Sequence, residues 1–120
     1  DEYVRHTFGK GPDAGYPRKI QGGWSGWPSA WAADRGIDAI VYVPENKKIY
    51  TFSGDEYVRH TFGQGPDAGY PVKTHLGWTG FPSSWAPTRP LDAAVYVPNG
   101  KVYAFSGSDY VRNSFGSGPD

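Results

Sequence analysis

The chain has 120 residues with 12 basic and 12 acidic side chains, so its formal net charge is zero and nothing in the composition recruits nucleic acid or an anionic membrane. Cysteine is absent, which excludes a disulfide framework and a thiolate zinc site and leaves the redox compartment open, secretion included. No run approaches the roughly 18 to 20 apolar residues of a membrane span, no targeting segment is visible, and 17 Gly, 11 Pro, five Trp, nine Tyr and six Phe point to a soluble all-β chain with many tight turns.

In chain order, "EYVRHTF" (residues 2–8) alternates Tyr3, Arg5, Thr7 against Val4, His6, Phe8 and is expected as a strand. "GKGPDAG" follows as a turn. It fits no phosphate-binding pattern, because it lacks the Lys-Ser/Thr end and leads into Tyr16-Pro17 rather than a helix. Residues 16–20 suit a short edge strand, since Pro17 cannot donate to a ladder. A Trp- and Gly-rich connector leads to "IDAIVYV" (residues 37–43), an apolar run expected for a strand buried on both faces. "KIYTFS", a second "DEYVRHTF" and "YPVKTHL" continue the series, and "FPSSW" is expected to make a helical turn at Pro82. "LDAAVYV" then meets Asn99-Gly100, which favours a type I′ hairpin into "KVYAFS", and "SDYVRNSF" closes the chain.

The chain repeats itself. Residues 1–17 recur at 55–71 with only Lys10 changed to Gln64, and a third copy begins at Ser108. The offset is 54 from Asp38 to Asp92 but 53 from Tyr50 to Tyr103, so one residue is lost where "PENKK" becomes "PNGK". That places the change in a hairpin tip, because a slip inside a strand would turn its buried face to water. The units are residues 1–36 (the end of one blade and a connector), 37–90 (a complete blade and connector) and 91–120 (strands one to three of the next). Four-stranded wedges with an apolar first strand and a polar last one stack radially as propeller blades. Ala39 and Ala93 supply the small side chain a crowded axis demands.

With "IDAIVYV", "KIYTFSGDEYVRHTF", "GYPVKTHLGWTGFPSSW" and "LDAAVYVPNGKVYAFSGSDYVR" in view, the sequence resembles hemopexin-like repeats over essentially its whole length. The resemblance implies a four-bladed propeller. Val4 and Val58 stand where many family members carry Trp, and the absence of a Cys pair is similar to bacterial or plant members.

Strand counting gives about two blades. Repeat units bury their apolar flanks only against neighbours, and about three or more are generally needed for stability. Two blades alone are therefore expected to expose Trp24, Trp27, Trp31, Trp78 and Trp85 together with Tyr3, Val4, Tyr16 and Tyr110. A homodimer exchanging strands would close four blades and leave no open sheet edge. In that ring residues 1–13 and 108–120 compete for one place.

As to sites, the resemblance assigns a calcium or sodium ion in the central channel to backbone oxygens of Asp38 and Asp92, with Ile40 and Ala94 forming a second ring; the alternative is that both Asp side chains cap their strands. His6, His60 and His75 are expected to be structural, and haem binding has no linker or loop counterpart here. Arg5, Arg59 and Arg112 recur with Asp13, Asp67 and Asp120 and are expected to pair. No nucleophile elbow, zinc pair or paired-carboxylate motif is present, so the reading is a non-enzymatic binding module. Its expected partner is itself, with a glycan or a small molecule as the alternative ligand. Stacking platforms for a sugar would be Trp27, Phe81, Tyr16 and Tyr70, whose alternative role is packing between blades; plant-type relatives suggest haem or a polyamine instead.

Overall fold

The computed structural model describes residues 1–120. The Tyr-x-Phe and Tyr-Val-Arg runs form antiparallel strands because aromatic and β-branched side chains fit a pleated, two-sided surface. They assemble into three sheets in chain order: β1 (Glu2–Tyr3) with β2 (Arg18–Lys19); β3 (Ala39–Val43), β4 (Lys48–Ser53), β5 (Glu56–Thr61) and β6 (Val72–Lys73); and β7 (Ala93–Val97), β8 (Lys101–Ser106) and β9 (Asp109–Ser114). The chain is thus one complete four-stranded blade flanked by the last two strands of one neighbour and the first three of another. No helix is long and apolar enough to cross a membrane.

The core lies between the four-stranded and three-stranded sheets. Val41 and Val43 of β3, Phe52 of β4 and Val102 and Ala104 of β8 pack there with Trp78, Trp85 and Leu91 from the connector. On its other side, the complete blade is covered by the N-terminal connector, whose Trp24 meets His60 edge-on at 5.6 Å.

Register confirms where the repeat loses a residue. Val43 pairs with Lys48 across a four-residue loop and Val97 with Lys101 across a three-residue one. The second loop is not the expected type I′ turn. Only Gly100 has positive φ (86°), with its N–H donating to the Val97 carbonyl at 3.0 Å. Pro98 fixes a negative φ at the first loop position, so a three-residue loop ending in a left-handed Gly replaces the two-residue form.

Two further expectations are corrected. The strand expected at 2–8 pairs with its neighbouring strand only at Glu2–Tyr3, apart from an isolated bridge between His6 and Pro12, and that at 16–20 only at Arg18–Lys19. Residues 2–8 have the same sequence as residues 56–62, where β5 is six residues long because it lies between β4 and β6; β1 has no second neighbour. Residues 82–85 form the expected single turn, closed by Trp85 N–H on the Pro82 carbonyl (3.1 Å). Finally, β3 and β7 are not covered on both faces: Ile40, Tyr42 and Val95 remain 42%, 51% and 46% exposed.

Candidate functional site

The recurrent charges do what pairing predicts, and a third group joins them. Arg59 Nε donates to Asp67 Oδ2 at 2.7 Å and Lys48 Nζ lies 2.9 Å from the same oxygen. Arg112 and Lys101 hold Asp120 in the same way, at 2.6 and 2.9 Å. Arg5 holds Asp13 alone, because no strand supplies the lysine. Burial opposes ionisation of Asp67, yet the bonds from Lys48 and Arg59 hold its carboxyl below the usual range.

A second recurrent clamp carried no flag in the sequence. Arg35 stacks on Trp31 (4.6 Å) while donating to Ser53 Oγ (2.9 Å) and the Ser53 carbonyl (2.7 Å); Arg89 repeats this on Trp85 and Ser106. The repeated spacing from Trp to Arg, four residues in both copies, was the signal available.

This clamp explains a correction to the expected assembly residues. Trp31, Trp78 and Trp85 are buried within the chain, at 2%, 7% and 8% exposure. Trp31 and Trp85 lie under their arginines, and Trp78 sits among Tyr50, Phe52 and Tyr57 with ring centroids 5.2 to 6.0 Å away. Trp24, Trp27, Tyr3 and Tyr16 are half-buried, while Val4 and Tyr110 are exposed. The named sugar platforms are likewise engaged edge-on: Trp27 with Trp31, Phe81 with Trp85, Tyr16 with Tyr3 and Tyr70 with Tyr57.

Two open faces remain. On one side Tyr3, Ile20, Trp24, Ile37 and Ile40 line an apolar recess of about 270 Å³. On the other, Val95 of β7, Phe105 of β8 and Tyr110 of β9 face outward. The repeat gives an internal standard for the second face: Phe52 and Tyr57 in the complete blade are 1% and 3% exposed, whereas their equivalents Phe105 and Tyr110 are 40% and 63% exposed.

The inner strands β3 and β7 lie side by side across the core. Asp38 and Asp92 are exposed at their starts, and their carboxylates accept N–H bonds from Gly54 and Gly107, each at 2.7 Å. Each side chain is engaged in its turn through Oδ2. Ile40 is exposed and Ala94 half-buried on the same strands. No group of three or more His, Asp or Glu side chains is arranged to hold a metal.

His60 is fully buried and its ring nitrogens have no protein partner; desolvation pushes its pKa down. His6, at the equivalent place in the incomplete unit, is exposed, as is His75.

Residues 37–83, spanning β3 to β6 and the start of the next connector, match the Hemopexin family. Those residues form a hemopexin-like repeat. Among solved structures, a seed albumin from Lathyrus sativus is 28% identical with a TM-score of 0.56, over 64% of this chain and 34% of that one. The chain thus spans about a third of the albumin's length, and its architecture is that of about two propeller blades. No curated protein matches it in sequence.

Proposed function

We propose that the chain is a non-enzymatic assembly module, half of a four-bladed hemopexin-like ring that a second copy completes. The observation that carries this reading is the mismatch on the inner strands. "AIVYV" and "AAVYV" are apolar on both faces, yet a single chain covers one face of each and leaves Ile40, Tyr42 and Val95 to water. Strands of this composition belong to the interior of a closed ring, and a two-fold pairing covers both outward faces with the same surfaces reversed.

The axial site follows from the same closure. Two copies would bring backbone oxygens of Asp38, Asp92, Ile40 and Ala94 together with their symmetry mates. That all-oxygen donor set suits a hard cation such as calcium or sodium at about 2.3 to 2.6 Å. The engagement of both Asp carboxylates with turn amides supports backbone rather than side-chain ligation. Such an ion would be structural, joining blades rather than activating a substrate.

Light scattering of the unmodified chain and of Val95→Lys, each with and without chelator, tests both parts. The unmodified chain is expected at twice the chain mass and the lysine variant at one. Chelation is expected to lower the melting temperature of the unmodified chain. Equal masses for the two proteins would remove the assembly reading, and an unmoved melting curve would remove the cation.

A further inference from the structure

Between the complete blade and the residues that follow β9 lies a pocket of about 170 Å³, walled by the rings of Tyr50, Tyr57, Trp78 and Phe115, with Arg59 as the one charged residue in its lining. Gly77 gives it a floor of bare backbone: a β-carbon there would fall 2.7 Å from the Tyr57 hydroxyl and 2.9 Å from Val72 Cγ2. Every wall belongs to strands and connectors within the chain. The N-terminal unit sets the same residues around a pocket of its own, with Tyr3, Arg5, Trp24 and Phe62 in the places of Tyr57, Arg59, Trp78 and Phe115.

We propose that the pocket of the complete blade binds a small aromatic carboxylate, its ring packed on the aromatic walls and its carboxylate on Arg59. The volume lies below the roughly 300 to 1,000 Å³ of sites for drug-sized ligands, so the occupant is a single ring with its acid group. Aromatic walls take a flat ring in offset or edge-on packing. Charge then selects the sign. A cation would meet Arg59, whereas Arg59 donates to Asp67 through Nε (2.7 Å) and keeps the edge formed by its two Nη groups for a second planar oxyanion. Arg59 and Lys48 share the carboxylate of Asp67, so this cluster holds one uncompensated positive charge, which suits a monoanion. Burial, and after it Tyr70, raises the pKa of Tyr57, so that hydroxyl keeps its proton and adds no opposing charge.

The two units differ beside the pocket on their fourth strands, and the difference has a direction. Where the complete blade has Val72 against Gly77, the N-terminal unit has Arg18, which lies over the Tyr16 ring at 4.8 Å while Arg5 lies over it at 5.1 Å. That lining therefore carries two guanidinium groups and no acid. The same residue placed at position 72 raises the positive charge of the complete pocket without altering a ring. Because all the walls lie in one chain, the site is independent of the assembly reading above.

Proton–nitrogen NMR of the full chain, following the indole N–H of Trp78 in the pocket wall, tests this with benzoate, benzylammonium and benzyl alcohol as probes. Benzoate is expected to shift that resonance saturably, and the other two at equal concentration are expected to leave it in place. Arg59→Gln is expected to weaken benzoate binding about tenfold or more, as befits the loss of hydrogen bonds to a charged group. Val72→Arg is expected to tighten it severalfold. The second variant leaves the Arg59–Asp67 pair intact, so it decides the question if the first folds poorly. A response to benzylammonium or benzyl alcohol equal to that for benzoate, no saturable response to benzoate, or a benzoate affinity unmoved by Val72→Arg would each overturn the proposal.

Discussion

The imidazole of His60 lies directly against the bare Cα of Gly26, with no room between them for a β-carbon. The next unit repeats the relationship with Asn113 and Gly80, where an added β-carbon would fall 2.6 Å from Asn113 Oδ1. Each glycine belongs to a connector and each polar side chain to the following blade, so these contacts set how closely the units stack. Gly26→Ala is therefore expected to lower stability by about 1 to 3 kcal/mol, the usual cost of overpacking. Urea unfolding of the variant beside the parent measures it, and an unshifted midpoint would mean that the contact is not close in solution.

His60 also makes stability depend on pH. Burial keeps it neutral below its ordinary pKa of 6.5, so the unfolded chain binds a proton that the folded chain refuses. Stability is expected to fall as pH drops through 6.5, until the lowered folded pKa is passed and the loss is complete. His60→Asn, which copies Asn113, removes this contribution. Melting temperatures of parent and variant between pH 5 and 7.5 should diverge toward acid, with the variant flatter; parallel curves would show that His60 titrates normally.

Lys47 holds a left-handed φ of 58° in the four-residue hairpin, the only residue other than glycine with positive φ. That conformation crowds the β-carbon against the backbone, and glycine relieves it. Lys47→Gly is expected to stabilise the chain by roughly 0.5 to 1 kcal/mol, the part of the left-handed penalty left after glycine's greater unfolded entropy. A lower denaturation midpoint would refute this.

Asp67 and Asp13 have the same sequence neighbours and different company. Asp67 bonds both Arg59 and Lys48, while Asp13 bonds only Arg5, whose side chain is 67% exposed. Asp67→Asn is expected to cost about 1 kcal/mol and Asp13→Asn close to nothing. Because the folded pKa of Asp67 is depressed, its contribution is present above the unfolded carboxylate range and is lost as pH falls through the folded value. Equal effects of the two substitutions at neutral pH would argue against the role of Lys48.

The blade order and the Arg–Asp pairs were legible because each rests on local pattern written twice. What was not legible depends on neighbours. "EYVRHT" makes a two-residue strand at Glu2–Tyr3 and a six-residue strand at Glu56–Thr61, since a ladder needs a partner on each side and pattern alone does not supply one. The aromatic count marked five tryptophans as interface material. Arg35 and Arg89, unremarkable as isolated basic residues, instead close Trp31 and Trp85 inside the chain. At the hairpin, Asn99-Gly100 suggested a turn type that Pro98 and the three-residue spacing override.

Small-angle scattering of the unmodified chain over a dilution series measures the central claim most directly. A single chain has a Cα radius of gyration of 14.6 Å. Closure by a second copy predicts forward scattering of two chains and a larger radius, both unchanged on moderate dilution. Scattering of one chain with a radius near 14.6 Å at every concentration would contradict it.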